Sequence, residues 1–154
     1  MLFNGTNKDD LKDDTRVGLK AAKEFSVSSP LDDLVKDEVR RVARELGLPN
    51  HSHAASPCLR SRLAYGVHAT PDNLLRIEAA ETIVRSIITH DVVHNIRVRH
   101  LRDGGARIEL DAELLDKSSN ELPTLGDKIA ELGFKYVKFD SFRSGSVAAR
   151  QRVA

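Results

Sequence analysis

Apolar positions along this chain recur at two periods, and the change between them marks out its elements. Val35, Val39, Val42 and Leu46 fall at helical spacing, and Gly47 with Pro49 supplies a stop, which predicts a helix from about Lys36 to Leu46. Its charged face, with Lys36, Asp37, Arg40, Arg41 and Arg44, is expected to meet water, and Glu38 sits at the edge of the apolar stripe. A second helix starts at Thr70-Pro71-Asp72, with Thr70 as N-cap and Pro71 at the first helical position. It runs to about Ile88 on the stripe Leu74, Ile77, Val84 and Ile88. Glu81 falls on that stripe. There a carboxylate must be paired, bind a cation or line a cavity, unless it lies solvated at the stripe's edge.

Alternation then replaces the helical period. Ile96 to Leu101 and Ala106 to Asp111 read as two strands joined by the turn Arg102-Asp103-Gly104-Gly105, a hairpin. Ile96 and Val98 point one way and Arg97 and Arg99 the other, and Ile108 and Leu110 separate likewise from Arg107, Glu109 and Asp111. One face of the hairpin is therefore strongly charged. A helix from about Leu125 to Leu132 ends at Gly133, and a strand from Phe134 to Asp140 follows. The order helix, strand, strand, helix, strand predicts a small α+β layer with helices on a mixed sheet.

The beginning of the chain has a different character. Met1-Leu2-Phe3 breaks into the polar turn Asn4 to Asp10, like the tip of a parallel strand at a ligand crevice. Asp9, Asp10, Asp13 and Asp14 are read as a solvated acidic turn or as neighbours of a metal-bound phosphate. Residues Asn50 to Pro57 have linker composition, which places a boundary between residues 1–50 and 51–154. The 154 residues are 40% apolar and 31% charged, the balance of an ordinary globular domain, and no apolar run approaches a bilayer span. A cytoplasmic protein is expected. The formal charge of +1 gives no general attraction to nucleic acid, so any anion site must be local, and the tail from Ser141, with Arg143, Arg150 and Arg152, is one such patch.

Cys58 is the chain's single cysteine, so it excludes an internal disulfide and a cysteine-built metal cluster. It opens Cys58-Leu59-Arg60-Ser61-Arg62, where two guanidinium groups favour the reactive thiolate; a buried small hydrophobe is the plainer alternative. Arg97 and Arg99 suit a phosphate as well as cross-strand acids. Phe142-Arg143-Ser144-Gly145-Ser146 joins a cation, two hydroxyls and a glycine in a weak phosphate-loop pattern. His51 and His53 are spaced for a metal but lie in linker sequence.

Gly5-Thr6-Asn7 with Asp9-Asp10, Gly18-Leu19-Lys20-Ala21-Ala22, Ser29-Pro30-Leu31 and Ala43-Arg44-Glu45-Leu46-Gly47-Leu48-Pro49 resemble the second part of a PP-loop ATP pyrophosphatase domain. The Cys58 segment with Tyr65-Gly66, Ala106-Arg107-Ile108-Glu109, Gly133-Phe134-Lys135-Tyr136-Val137 and Arg143-Ser144-Gly145-Ser146 resemble the C-terminal domain of the LarE-type ATP-dependent sacrificial sulfur transferases. The resemblance covers nearly the whole chain, and the order of its motifs makes it specific. It implies an α/β fold: the C-terminal part of a PP-loop (adenine nucleotide alpha hydrolase-like) domain over residues 1–50, then a small α+β sulfur-transfer domain over residues 51–154.

The chemistry it implies is adenylation of a pyridinium dicarboxylate mononucleotide by ATP, attack by a cysteine, and cleavage of that cysteine's Cβ–S bond, on the route to the nickel-pincer cofactor of lactate racemase. Cys58 matches the sacrificial cysteine. Ser61, Arg62, Arg97, Arg99, Arg143 and Ser144 match the substrate-phosphate region, and Thr6, Asn7 and Asp10 the nucleotide and Mg region. Glu81 and Glu109, with Asp116 as a third, match acidic positions for a metal. The Ser-Gly-Gly-x-Asp-Ser loop of the family is not found in the sequence, so ATP and Mg are expected only where a partner chain supplies that loop. A homo-oligomer is expected; nucleic acid and membrane are not. The alternatives are a non-catalytic nucleotide- or phosphate-binding module, an inactive remnant of such an enzyme, and, lower, a tRNA-thiolating enzyme.

Overall fold

The structure, a computed structural model, describes residues 1–12 and 17–143. It is an α/β chain in two compact units, Met1–Ser52 and His53–Ala154. No helix among the described residues is long and apolar enough to cross a membrane.

In the first unit, isolated parallel bridges join Phe3 to Ser28 and Asn7 to Leu31. Helix α1 covers Val17–Glu24 and α2 covers Lys36–Glu45. Two carboxylates start α2: Glu38 accepts the Val35 N–H at 2.9 Å and Asp9 accepts the Lys36 N–H at 2.9 Å. The Lys36 N–H, and then the Lys12 ammonium, hold the Asp9 carboxyl below its ordinary range. The stripe Val35, Val39 and Val42 is half-buried, whereas Leu46 is exposed. Met1, Leu2, Phe3 and Phe25 are also exposed. Parallel strands usually have both faces covered, and here the apolar ends of the bridges are open.

The second unit contains the core. Helix α3 spans Pro71–Ile88, with the Thr70 hydroxyl accepting the Asn73 N–H, the cap expected from the sequence. Strands β1 (Ile96–His100) and β2 (Ala106–Leu110) form the predicted antiparallel hairpin, and β3 (Val137–Ser141) joins β2 in parallel, giving the order β1-β2-β3. Between them lie α4 (Ala112–Lys117) and α5 (Leu122–Ala130). Neither α1 nor α4 is predicted from the sequence, since six to eight residues carry little periodicity.

Register aligns Val98, Ile108 and Phe139 on one face of the sheet, with Ile96 and Leu110 beside them. Ala80, Val84, Leu125, Ile129 and Phe134 join Ile96, Val98, Ile108 and Leu110 in one buried cluster. Phe134 belongs to that core rather than to a strand, so β3 begins three residues later than alternation suggests. Gly105 is fixed by Tyr136: an added Cβ would sit 2.3 Å from the ring's Cζ. The Tyr136 hydroxyl in turn donates to Asp103 at 2.6 Å, which locks the hairpin turn against the approach to β3.

His100 closes the apolar face. It is 8% exposed, its Nδ1 has no partner, and its ring meets Phe134 edge-on at 5.3 Å. Burial, and then the charge of Arg76, lower its pKa from the ordinary 6.5. The neutral ring is the native form, so its stabilising contribution is complete above 6.5 and is lost as pH falls from there through the lowered native value. Urea unfolding of wild type is therefore expected to weaken between about pH 7 and pH 5, with a flatter profile for His100→Leu. Equal slopes in the two proteins would show that His100 does not carry the effect.

Candidate functional site

Cys58 is exposed and stands at the start of a 3-10 turn, Leu59–Arg62. Its carbonyl accepts the Ser61 N–H at 2.9 Å and the Ser61 hydroxyl at 2.8 Å. Ser61 thus closes the turn that presents the thiol. Just after it, Leu63 is buried and bridges His100 in parallel, and the Ala64 N–H donates to the His100 carbonyl at 2.9 Å, so this segment lines the outer edge of β1.

Arg62 fixes the turn from beneath. It is 1% exposed, donates from Nε to Glu81 at 2.8 Å, and reaches the Pro57 carbonyl at 2.7 Å and the Ser61 hydroxyl at 3.0 Å. The same Glu81 oxygen accepts the Val98 N–H at 3.1 Å, so one carboxylate joins turn, helix and strand edge. Of the options the sequence left for Glu81, the structure shows pairing.

The charged face of the hairpin is buried rather than solvated. Arg97 and Arg99 are 4% and 8% exposed, and Arg107 and Glu109 are 5% and 2%. Arg99 donates to Glu109 at 2.9 Å and to the Ser61 carbonyl at 2.7 Å; Arg107 pairs with the other Glu109 oxygen at 3.0 Å. Arg97 donates to the carbonyls of Ile96 and Ala55 and lies over the Phe142 ring at 5.5 Å. Burial, and then the nearby Arg62 charge, lower the Arg97 pKa. Three arginines therefore hold the backbone at Ala55, Pro57 and Ser61, on either side of Cys58.

Of the residues selected from the sequence, Cys58, Ser61, Arg62, Arg97 and Arg99 come together here with Glu81 and Glu109. Arg143 is exposed and follows Phe142, which reaches Arg97; Ser144 lies outside the described residues. Asp116 is exposed on α4. Among the described residues no three His, Cys, Asp or Glu side chains gather as a metal would require, so Glu81, Glu109 and Asp116 do not form one group. Each glutamate is instead engaged by arginine.

Thr6, Asn7 and Asp10 belong to the first unit. The Thr6 N–H donates to Asn4, the Asn7 N–H to Asp10, the Lys8 N–H to the Leu34 carbonyl, and the Asp9 and Asp10 N–H groups to Asn7. Five consecutive amides are thus committed internally, and the turn does not fit the nest of free N–H groups that grips a triphosphate. Sequence reasoning left Arg107 out of the candidate set. Alternation puts it on the charged face beside Glu109, and its burial to 5% exposure is not encoded by that pattern.

No family model matches the chain. It is 37% identical over 148 residues, 94% of its length, to the pyridinium-3,5-bisthiocarboxylic acid mononucleotide synthase of Lactiplantibacillus plantarum, covering 51% of that protein. It is also 37% identical over 153 residues to an uncharacterized protein of Synechocystis sp., covering 54% of it. A shorter match, 39% over 88 residues, joins it to the glutamine-hydrolyzing GMP synthase of Nocardia farcinica. The chain spans about half the length of the first two relatives.

Removing the Arg62 guanidinium would leave Glu81 uncompensated at the edge of β1. Arg62→Ala is expected to cost about 3–5 kcal/mol in urea unfolding and to speed alkylation of Cys58 under native conditions. Wild-type stability in that variant would show that the pair does not anchor the turn.

Proposed function

We propose, starting from this chain's relationship to the LarE-type sulfur transferases, that it takes part in sacrificial sulfur transfer with Cys58 as the donor. The observation that carries the reading is an exposed thiol on a turn that three buried arginines hold beside a positively charged sheet face. A nucleophile works best when its geometry is fixed before the substrate arrives.

In this reading the substrate is a pyridinium dicarboxylate mononucleotide whose carboxylate has been adenylated. The Cys58 sulfur attacks the acyl carbon, AMP leaves, and a thioester joins substrate to protein. Loss of the Cys58 α-proton with cleavage of its Cβ–S bond leaves sulfur on the substrate as thiocarboxylate and dehydroalanine at position 58. Arg97, Arg99 and the segment around Arg143 are assigned to the substrate's phosphate, with Ser61 and Arg62 keeping the turn in place. The amides of residues 6–10 are occupied, so adenylation is assigned to a separate phosphate-gripping loop that binds ATP and Mg.

Because that turn offers no grip for the ATP that activation needs, a second reading follows, a module that binds a nucleotide or phosphate at the arginine face without chemistry. Intact-protein mass spectrometry separates the two. The chain purified from its native cell, or from a host co-expressing its genomic neighbours, is expected to have lost about 34 Da at residue 58, the mass of hydrogen sulfide, and Cys58→Ser is expected to show no such loss. An intact Cys58 in chains that carry bound nucleotide would support the binding module instead. Alone, the chain is expected not to turn ATP into AMP and pyrophosphate.

A further inference from the structure

The charged face of the second unit's sheet sets arginine directly opposite arginine. Register places Arg99 beside Arg107 and Arg107 beside Lys138, with Arg97, Glu109 and Asp140 in the adjacent row. Arg62 and Glu81 pair at the edge of β1. Like charges directly opposite weaken a strand pair, and buried charge without a counter-ion is costly. Arg107 is where the like charges meet. It faces Arg99 across the ladder, is 5% exposed, gives a terminal nitrogen to Glu109 at 3.0 Å, and its Nε has no hydrogen-bond partner. A buried guanidinium N–H left unpaired is a donor awaiting an acceptor.

We propose that Arg107 is a further anion-binding residue of the Cys58 site, its Nε–H donating to a phosphate oxygen of the substrate. The inference rests on the reading that this face holds the substrate's phosphate. Glu109 positions Arg99 and Arg107 through its two oxygens and yields part of that contact when the ligand enters. A phosphate monoester is the ligand class that fits: a guanidinium donating through Nε and a terminal nitrogen grips two of its oxygens.

The test is binding of inorganic phosphate and of AMP to the full chain, by calorimetric titration and by the rise in unfolding temperature at constant ionic strength. Wild type is expected to bind both, with a stabilisation that chloride does not reproduce. Arg107→Lys keeps the charge opposite Arg99 but has no Nε, and is expected to weaken both ligands about tenfold while remaining folded; Arg107→Gln is expected to weaken them further. If Arg107→Gln fails to fold, the lysine variant decides. Wild-type affinity in Arg107→Lys would overturn the role of Arg107 and leave the sulfur-transfer reading standing. No binding by wild type, or an equal effect of chloride, would overturn the phosphate site itself, while the mass of residue 58 would still decide sulfur transfer separately.

Discussion

The ion pair between Arg62 and Glu81 is the constraint on which the second unit's candidate site depends. Arg62 is almost wholly enclosed, and Glu81 comes from the middle of α3, where its carboxylate also satisfies the Val98 N–H on the open edge of β1. Three elements distant in sequence meet at one carboxylate. Such a pair adds little net stability relative to a well-packed apolar contact, because both charges give up their water. Its effect is specificity: once either partner is present, the other must lie within reach, and that fixes the height and direction of the turn carrying Cys58.

The two faces of the sheet divide the remaining work. The apolar face, built around Val98, Ile108 and Phe139 and covered by α3 and α5, supplies the hydrophobic burial. The opposite face is assembled from arginines and glutamates, and its β1 side is engaged by the 55–63 segment through Arg97 and Arg99. Hydrogen bonds from Arg62, Arg97 and Arg99 to backbone carbonyls let a stretch with no regular secondary structure before Leu59 lie in a defined path. The arginines that the resemblance assigns to a phosphate therefore already perform a structural task, and any ligand that engages them acts on the Cys58 turn as well.

Much of this arrangement was legible in the sequence. Strong periodicity revealed α3, its Thr70 cap and the hairpin, because each runs for several residues against one continuous apolar surface. The short helices α1 and α4 carry too few turns to leave such a pattern. Cys58, Ser61 and the arginine pair stood out by residue type, and the resemblance to LarE-type enzymes is shown by 37% identity across nearly the whole chain. What the sequence did not reveal was the covering of the charged face. Alternation gives the direction of Arg97, Arg99 and Arg107, but Arg97 meets Ala55, about forty residues away, through a contact that no local pattern encodes. The resemblance matches Glu81 and Glu109 to metal positions, and their buried guanidinium partners, which motif position does not reveal, define their surroundings.

The most direct test is residue-resolved amide hydrogen exchange of the native chain across Ser61, Leu63 and Ala64. Their N–H groups donate to the carbonyls of Cys58, Arg60 and His100. If the arginines hold the turn as part of the core, these amides exchange only with the opening of β1 and β2, and share the protection of the amides paired within that ladder. Exchange of all three near the unprotected rate while the strands stay protected would mean that the turn moves independently of the sheet, contradicting the central claim that Cys58 is presented on a fixed support.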